Sequence, residues 1–187
     1  MDKLIFRIKC LLFMPLYMFF GLNKDNEEEL RVWERKWNTV RYNNTFLCFI
    51  RMCATFPEYR SLFLYRIGGI GELLSWFVPC CKNLYFITDS VSIGKGLVLW
   101  HGYSTIIFAE AIGENCEIWH NVTIGRAHGL GRRPRIGNNV KVCAGAIVIG
   151  DIEIGDNVVI GAGAVVTKSV PANSVVVGNP ARIIKTI

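Results

Sequence analysis

The sequence has few of the features that mark membrane-spanning and secreted proteins. The longest apolar stretch without a charge, Cys10–Leu22, has 13 residues and contains Pro15, whereas a helix that crosses a bilayer needs about 20. A basic start precedes this stretch, as in a signal peptide, but no small-residue cleavage site follows it. The seven cysteines include no C-x-x-C pair, which favours a reducing compartment in which cysteines serve as small core residues.

The charge pattern does not favour a nucleic-acid-binding protein. The net charge of +6 divides into +4 for residues 1–86 and +2 for residues 87–187, and no nucleic-acid-binding module is present. Four arginines nevertheless lie close together, at positions 126, 132, 133 and 135. A local basic loop of this kind favours a small ligand that carries phosphate, and we expect no nucleic-acid partner.

These observations predict a cytoplasmic protein, and they leave two interpretations of Cys10–Leu22. In one, the N-terminal segment contacts the inner face of a membrane as a peripheral element. In the other, it is a buried amphipathic helix. The charged residues Lys3, Arg7 and Lys9 lie directly upstream of the apolar stretch.

Residues 1–86 have the composition of a helical region, rich in Leu, Phe, Trp, Arg and Glu. Acidic residues after Asp25 predict a helix start, and the spacing of Leu30, Trp33, Trp37 and Val40 continues it. Further helices are expected at 46–54, 61–67 and 73–78, with Gly68–Gly71 between the last two. The boundary with the second region is expected around 79–86.

Residues 87–187 contain a six-residue repeat and 14 of the 18 glycines. A period of six fits neither a helix nor an alternating strand, but it fits a chain that turns a corner every six residues and closes a coil of about 18. Glycine and asparagine near the corners would supply tight or left-handed backbone. The sequence therefore predicts a mainly β protein, a β-solenoid after a small helical region, with these residues inside: Ile87, Ile93, Leu99, Ile106, Ile112, Ile118, Ile124, Ile136, Val142, Val148, Ile154, Ile160 and Val166.

Two breaks interrupt the repeat, and the three histidines of the chain lie at or near them. The first break, between Leu99 and Ile106, contains His101. The second, Arg126–Arg135, contains His128 and is expected to be an extruded loop, and His120 lies between the two breaks. Histidine is the side chain best suited to general-base chemistry near neutral pH. No metal-ligand spacing accompanies these residues, so no metal site is expected.

The repeats, together with HGYSTII, NVTIG, RRPRIG and GAGAVVTKSVPANSVVVGNPARII, resemble the left-handed parallel β-helix (hexapeptide-repeat) acyltransferases. The nearest branch is the serine acetyltransferase-like group, which includes bacterial polysaccharide O-acetyltransferases. The resemblance implies a homotrimer in which acetyl-CoA lies between neighbouring β-helices. It also implies that His101 is the general base, which deprotonates an acceptor hydroxyl for direct attack on the thioester, with no metal.

The same resemblance suggests further site residues. Acceptor binding is expected from Trp100, His120, Arg132 and Arg133. Glu110 and Asp89 are candidate carboxylates for orienting a histidine. Contact with acetyl-CoA is expected from small residues beside the pantetheine arm and from basic residues near the phosphates, namely Gly145, Ala162, Gly163, Lys168 and Arg182.

Departures from the serine acetyltransferase pattern decide the expected acceptor. Trp100 and Phe86 stand where those enzymes have carboxylates, and Arg132-Arg133 stands in place of an Arg-His pair. An aromatic side chain beside the general base suits the apolar face of a sugar. The sequence therefore favours acetylation of a sugar or surface-polysaccharide precursor. The alternatives are a serine O-acetyltransferase of cysteine biosynthesis and a non-enzymatic β-helix scaffold.

Overall fold

The computed structural model describes residues 3–37, 43–129 and 131–187. The chain forms two compact units, Met1–Cys81 and Lys82–Ile187. The division lies inside the range 79–86 where the boundary was expected, five residues before the end of the region taken as 1–86.

The first unit is helical. Its helices are α1 (Lys3–Phe13), a 3-10 helix (Met14–Leu22), α2 (Asn26–Lys36), α3 (Thr45–Thr55), α4 (Pro57–Arg66) and α5 (Gly69–Ser75). The three acidic residues 27–29 occupy the first turn of α2, where the helix dipole stabilises negative charge. The Asn44 side chain accepts a hydrogen bond from the Leu47 N–H and caps α3. Val40, which was expected to continue α2, lies outside the described residues.

An aromatic core and a buried ion pair hold this unit together. The side chains of Trp33, Phe49 and Phe63 are fully buried, and the rings of Phe49 and Phe63 meet edge to face at 4.9 Å. Arg66 donates from Nη2 to Glu29 Oε1 at 2.9 Å and from Nε to Oε2 at 3.3 Å. This pair joins α2 to α4.

The expected starts of the last two helices are wrong. Pro57 occupies the first turn of α4, where proline is favoured because the N–H it lacks would have no partner in the helix. The glycines expected to separate two helices instead form the first turn of α5. A Cβ on Gly71 would lie 1.7 Å from Leu64 O, so glycine here permits the close approach of α5 to α4 rather than a break.

The second unit is a parallel β-helix of short strands. They are β1 (Leu84–Phe86), β2 (Val98–Trp100), β3 (Thr105–Ile107), β4 (Ala111–Ile112), β5 (Glu117–Trp119), β6 (Thr123–Gly125), β7 (Arg135–Ile136), β8 (Lys141–Val142), β9 (Ile147–Ile149), β10 (Glu153–Ile154), β11 (Val159–Ile160), β12 (Val165–Val166), β13 (Ser174–Val177) and β14 (Arg182–Thr186).

The strands form three sheets, ordered β1-β3-β6-β9-β12, β4-β7-β10 and β2-β5-β8-β11-β13-β14. Among the strands of the described residues, only β14 runs antiparallel to its neighbour, β13. The expected solenoid after a small helical region is confirmed.

Stacked aliphatic side chains fill the β-helix. In one sheet the stack is in register through five coils, and none of its members is more than 1% exposed: Leu99, Ile118, Val142, Ile160 and Val176. Each such side chain contributes roughly 1.5–3 kcal/mol through burial. Val159 pairs with Lys141, 18 positions earlier, which is the coil length expected from the repeat.

Two residues expected inside the β-helix lie outside it. Ile106 is 38% exposed and Ile87 is 54% exposed. Ile107 is instead fully buried, and it pairs in register with Phe86 and Ile124. Successive side chains of a strand point to opposite faces, so a shift of one residue reverses inside and outside. The first break in the repeat introduces this shift at Ile106. Ile87 lies before the break, and the preceding residue, Phe86, is the one that pairs with Ile107.

The corners use asparagine and glycine for different reasons. Asn115, Asn139, Asn157 and Asn173 have positive φ, and amide hydrogen bonds join Asn139 to Asn157 and Asn157 to Asn173. The preceding glycines are needed for space instead. A Cβ on Gly155, for example, would lie 2.4 Å from the Ala172 backbone nitrogen.

Candidate active site

One edge of the β-helix carries His101 and His120, whereas His128 lies in the loop of the second break. This edge, here called the histidine edge, joins the sheet of β2 and β5 to the sheet of β3 and β6. The Asn121 N–H donates to Tyr103 O, the Gly145 N–H to His120 O, and the Gly163 N–H to Ala144 O. The corner segments of four successive coils are therefore stacked on one another. These segments are residues 101–104, 120–121, 144–145 and 162–163.

The first break places His101 in an unusual backbone conformation. Val98 pairs with Glu117, 19 positions later, so this coil is one residue longer than 18. Within the break, His101 and Ser104 have φ values of 53° and 54°. Residues other than glycine seldom adopt this left-handed conformation, and its strain is concentrated at functional sites. The His101 side chain is exposed, as a group that accepts a proton from a substrate must be.

The rings of His120 and Tyr103 stand beside His101. The His120 and Tyr103 rings stack at 5.0 Å, and the His120 and His101 rings approach edge to face at 6.5 Å. His120 Nδ1 is buried and has no hydrogen-bond partner among the described residues. A buried ring nitrogen without a partner is unfavourable, so this atom is available to a polar ligand group or to a bound water.

Trp100 forms part of an ordered network on the outer side of its sheet. Its ring stacks on Trp119 at 5.8 Å, and its Nε1 donates to Glu117 Oε2 at 2.7 Å. Glu117, whose side chain is 5% exposed, also pairs with Lys141 Nζ at 3.5 Å. One face of the indole that was expected to meet an acceptor is thus covered by Trp119, and its N–H is already used.

The second break forms the expected loop on the next edge of the β-helix. Arg133 binds the Glu110 carboxylate through Nε at 3.0 Å and through Nη2 at 2.8 Å. The guanidinium groups of Arg126 and Arg133 lie 4.9 and 5.1 Å from the Phe108 ring centre. The hydrogen bond and the charge of Arg133 hold the pKa of Glu110 below its usual value. Glu110 therefore orders this loop, and no described contact supports its expected role in orienting a histidine.

The other expected acceptor groups are not brought together with His101 within this chain. Arg132 and His128 are exposed loop residues. The loop and the histidine edge lie at opposite ends of β6, a strand of three residues, which spans about 10 Å. Asp89 precedes the short 3-10 helix Ser90–Ser92, and its carbonyl accepts the Ser92 N–H at 2.9 Å.

The expected acetyl-CoA residues divide between two edges. Gly145 and Gly163 have φ values of 71° and 67°, and a Cβ on Gly163 would meet nothing within 4 Å. Together with the exposed Ala162, they leave the backbone of the histidine edge open to an elongated ligand. The backbone of Arg182 pairs with Val177 at the C-terminal end of this edge. Lys168 follows β12 and lies on the adjacent edge with the loop.

The sequence interpretation missed Tyr103, Trp119 and Glu117. A usable signal was present, because adding the 19-residue length of this coil to Trp100 gives Trp119 and adding it to Val98 gives Glu117. Among the described residues there is no group of three His, Cys, Asp or Glu side chains that could hold a metal ion. What the edge offers is an exposed imidazole beside a second imidazole and an open glycine-lined backbone. This arrangement fits proton transfer next to an extended ligand.

Comparison with known proteins gives matches in sequence and structure. Residues 133–168 match the bacterial transferase hexapeptide family. The chain is 46% identical over 104 residues to chloroplastic serine acetyltransferase 1 of Arabidopsis thaliana. This match covers 52% of this chain and 32% of that protein.

Two solved structures match the fold over most of this chain. The serine acetyltransferase of Neisseria gonorrhoeae in complex with serine has a TM-score of 0.66 at 27% identity and covers 88% of this chain and 69% of that one. The enzyme of Brucella abortus strain S19 in complex with coenzyme A has a TM-score of 0.59 at 26% identity and covers 84% and 65%. The expected left-handed β-helix class is confirmed.

The sequence-based preference for a sugar or surface-polysaccharide acceptor is wrong. Serine acetyltransferases match this chain both in sequence and in structure. The preference depended on the missing carboxylates at Trp100 and Phe86 and on an aromatic face presented by Trp100. That ring stacks on Trp119 as part of the sheet. The chain spans about a third to a half of the length of the curated relatives it matches.

Proposed function

We propose that this chain, which resembles serine acetyltransferases over about half of its length and matches the bacterial transferase hexapeptide family over residues 133–168, transfers an acetyl group from acetyl-CoA to the hydroxyl of L-serine. The observation that carries this proposal is the 45–46% identity to serine acetyltransferases over about half of the chain. A neighbour in complex with serine and another in complex with coenzyme A support the same pair of substrates.

In the proposed reaction His101 is the general base. Its imidazole accepts the proton of the serine hydroxyl as the oxygen attacks the thioester carbonyl. When the C–S bond breaks, the imidazolium returns this proton to the coenzyme A sulfur, so the residue ends the cycle unchanged. The exposure of His101 and its place on the same edge as the two left-handed glycines support this role.

The histidine edge is the proposed path of acetyl-CoA. Its two left-handed glycines leave no side chain between the ligand and the backbone, and the pantetheine arm is a narrow, extended group. Arg182, at the end of this edge, and Lys168, on the next, are the proposed partners of the coenzyme phosphates, because both are exposed basic residues.

A homotrimer is part of the proposal. The Arg132-Arg133 loop and His101 lie on different edges of the β-helix, so one chain does not bring them together. Packing of three β-helices side by side would set the loop of one protomer beside the histidine edge of the next. Each acceptor pocket would then contain residues of two protomers.

The test measures release of coenzyme A thiol from acetyl-CoA in the presence of L-serine, with D-serine and with glycine, which lacks the hydroxyl, as controls. We expect turnover with L-serine alone. His101→Ala should lower kcat about 10²–10⁴-fold, which is the usual contribution of a general base. Glu114→Ala, at an exposed corner of the β-helix between β4 and β5, is the control and should keep full activity because it lies on neither the histidine edge nor the loop.

Turnover by the His101→Ala protein at the wild-type rate would refute the assigned base. Binding of coenzyme A without any acetylation of L-serine would refute the assigned acceptor.

A further inference from the structure

The outward face of α1 is an apolar stripe exposed to solvent. Its members recur at helical spacing and are between 57 and 66% exposed: Leu4, Ile8, Leu11 and Leu12. The other side of the same helix is used inside the helical unit, where Phe13 is buried and the Arg51 guanidinium lies 6.0 Å from the Phe6 ring centre. The helix α1 thus has two apolar faces, and only one of them packs against the protein.

Basic residues border the exposed stripe on both sides. At about 100° per residue, Arg7 lies roughly 85° to one side of the centre of the stripe and Lys9 roughly 115° to the other. Both side chains are exposed. From Lys3 to Lys24 the sequence contains no Asp or Glu.

This pattern is that of a helix that lies in a membrane interface, where leucine and isoleucine enter the acyl boundary and Lys or Arg side chains reach the headgroups. The 3-10 helix that follows adds Met18, which is 83% exposed, and ends two residues before the exposed Lys24. No helix of the described residues is long and apolar enough to cross a membrane.

Charge separates this surface from the other exposed apolar side chains of the unit. Trp76 and Phe77 are 84 and 80% exposed, which is more than any member of the α1 stripe. The helix α5 before them contains Glu72 and no basic residue. General hydrophobicity would therefore favour Trp76 and Phe77 as the contact, whereas attraction to anionic lipid favours α1.

We propose that the outward face of α1 binds the surface of a bilayer that contains anionic phospholipid, with the helix axis in the plane of the interface. The proposal is independent of the acetyl transfer, because it uses none of the residues of the histidine edge. Attraction to the headgroups sets the choice of surface, and burial of the stripe supplies the remaining affinity.

The test is co-sedimentation of the full chain, tagged at its C-terminus, with phosphatidylcholine vesicles that contain about one third phosphatidylglycerol. We expect Leu11→Ser/Leu12→Ser to lower the partition coefficient at least about tenfold. Arg7→Gln/Lys9→Gln should lower it about 25-fold, at roughly fivefold per charge. Thermal unfolding of each variant is measured in parallel, so that a loss of binding is assigned to the surface only in a variant that folds like the wild type.

Two controls make the result specific. Trp76→Ser/Phe77→Ser removes two more exposed apolar side chains from a stretch, residues 69–78, that contains no Lys or Arg, and it should leave vesicle binding unchanged. Raising the salt from about 0.1 M to about 0.5 M shortens the Debye length from about 10 Å to about 4 Å and should weaken the binding.

Equal binding to vesicles of pure phosphatidylcholine, or loss of binding in the Trp76→Ser/Phe77→Ser protein alone, would overturn the proposal. It would also fail if Leu11→Ser/Leu12→Ser changed the oligomeric state, measured by light scattering, and left vesicle binding intact, because the stripe would then meet a second copy of the chain.

Discussion

Replacing Gly163 by asparagine separates the structural role of this glycine from its proposed role in binding acetyl-CoA. The same corner position in earlier coils is occupied by Gly145 and by Asn121, whose φ is 56°. The fold therefore accepts asparagine at this corner. If the left-handed backbone were the only requirement, Gly163→Asn would be silent. If the open backbone receives the pantetheine arm, the new side chain occupies its path.

The expected effect on stability is small. Asparagine tolerates the left-handed conformation better than other side chains, and a Cβ at this position would meet nothing within 4 Å. The residual strain of about 1 kcal/mol is offset by about 0.4–1 kcal/mol from the lower entropy of the unfolded chain. The net change in the free energy of unfolding should stay within about 1 kcal/mol, or a shift in Tm of about 2–4 °C.

The expected effect on catalysis is selective. The KM for acetyl-CoA should rise about tenfold or more, which corresponds to about 1.4 kcal/mol of lost binding, while the KM for L-serine stays within about twofold. The assay is thiol release with each substrate varied in turn, alongside thermal unfolding. An unchanged KM for acetyl-CoA in a normally folded variant would refute the proposed path along the histidine edge.

Two further predictions concern ion pairs. Glu29→Gln leaves Arg66 without its carboxylate, and the two side chains are 3 and 4% exposed, so urea denaturation should show that the free energy of unfolding falls by about 3–5 kcal/mol. Glu29→Met/Arg66→Met should recover most of this loss. A Glu29→Gln protein as stable as the wild type would contradict the assigned ion pair. Arg133→Gln should raise the pKa of Glu110 toward its ordinary value, measured by NMR titration of the carboxyl carbon. Because the pKa of Glu110 is lowered in the folded state, the stability contributed by this pair is present above the unfolded-state pKa of about 4.3. It is lost as the pH falls through the folded-state pKa. An unchanged Glu110 titration in the Arg133→Gln protein would show that Arg133 does not cause the lowered pKa.

The six-residue repeat was sufficient to predict the β-helix because each coil buries the same strand position. The prediction failed only at Ile87 and Ile106, which lie at or before the first break. A break of one residue leaves the composition unchanged but reverses which side chains face inward. The correct alternative, Ile107, is adjacent in sequence and equally aliphatic, so only the register against Phe86 and Ile124 identifies it.

The helical unit was predicted less well at its glycines. Glycine usually weakens a helix, and the sequence around Gly69–Gly71 therefore suggested a linker. The helix α5 forms because Gly71 allows it to approach the Leu64 carbonyl of α4. A requirement for close approach comes from another helix and has no signature in the local sequence.

The candidate site shows the same division. The sequence singled out His101 by its residue type and by the break around it. It did not predict that Glu110 would pair with Arg133, nor that Trp100 would stack on Trp119 and bind Glu117. Without the first contact, the carboxylate that binds the loop was not identified. Without the second, Trp100 was taken as a surface for a sugar acceptor, which the comparisons contradict.

The sequence by itself determined the coil, the position of both breaks and the residue types at the histidine edge, because a period of six and the scarcity of histidine are both visible along a single chain. The tertiary structure decided which side chains meet across coils. Residues 16 to 24 positions apart in the chain lie on neighbouring parallel strands, and one added residue changes both their face and their partner. The pairing of His120 with Tyr103 and of Glu110 with Arg133 therefore follows from the register of the coils, which no local pattern specifies.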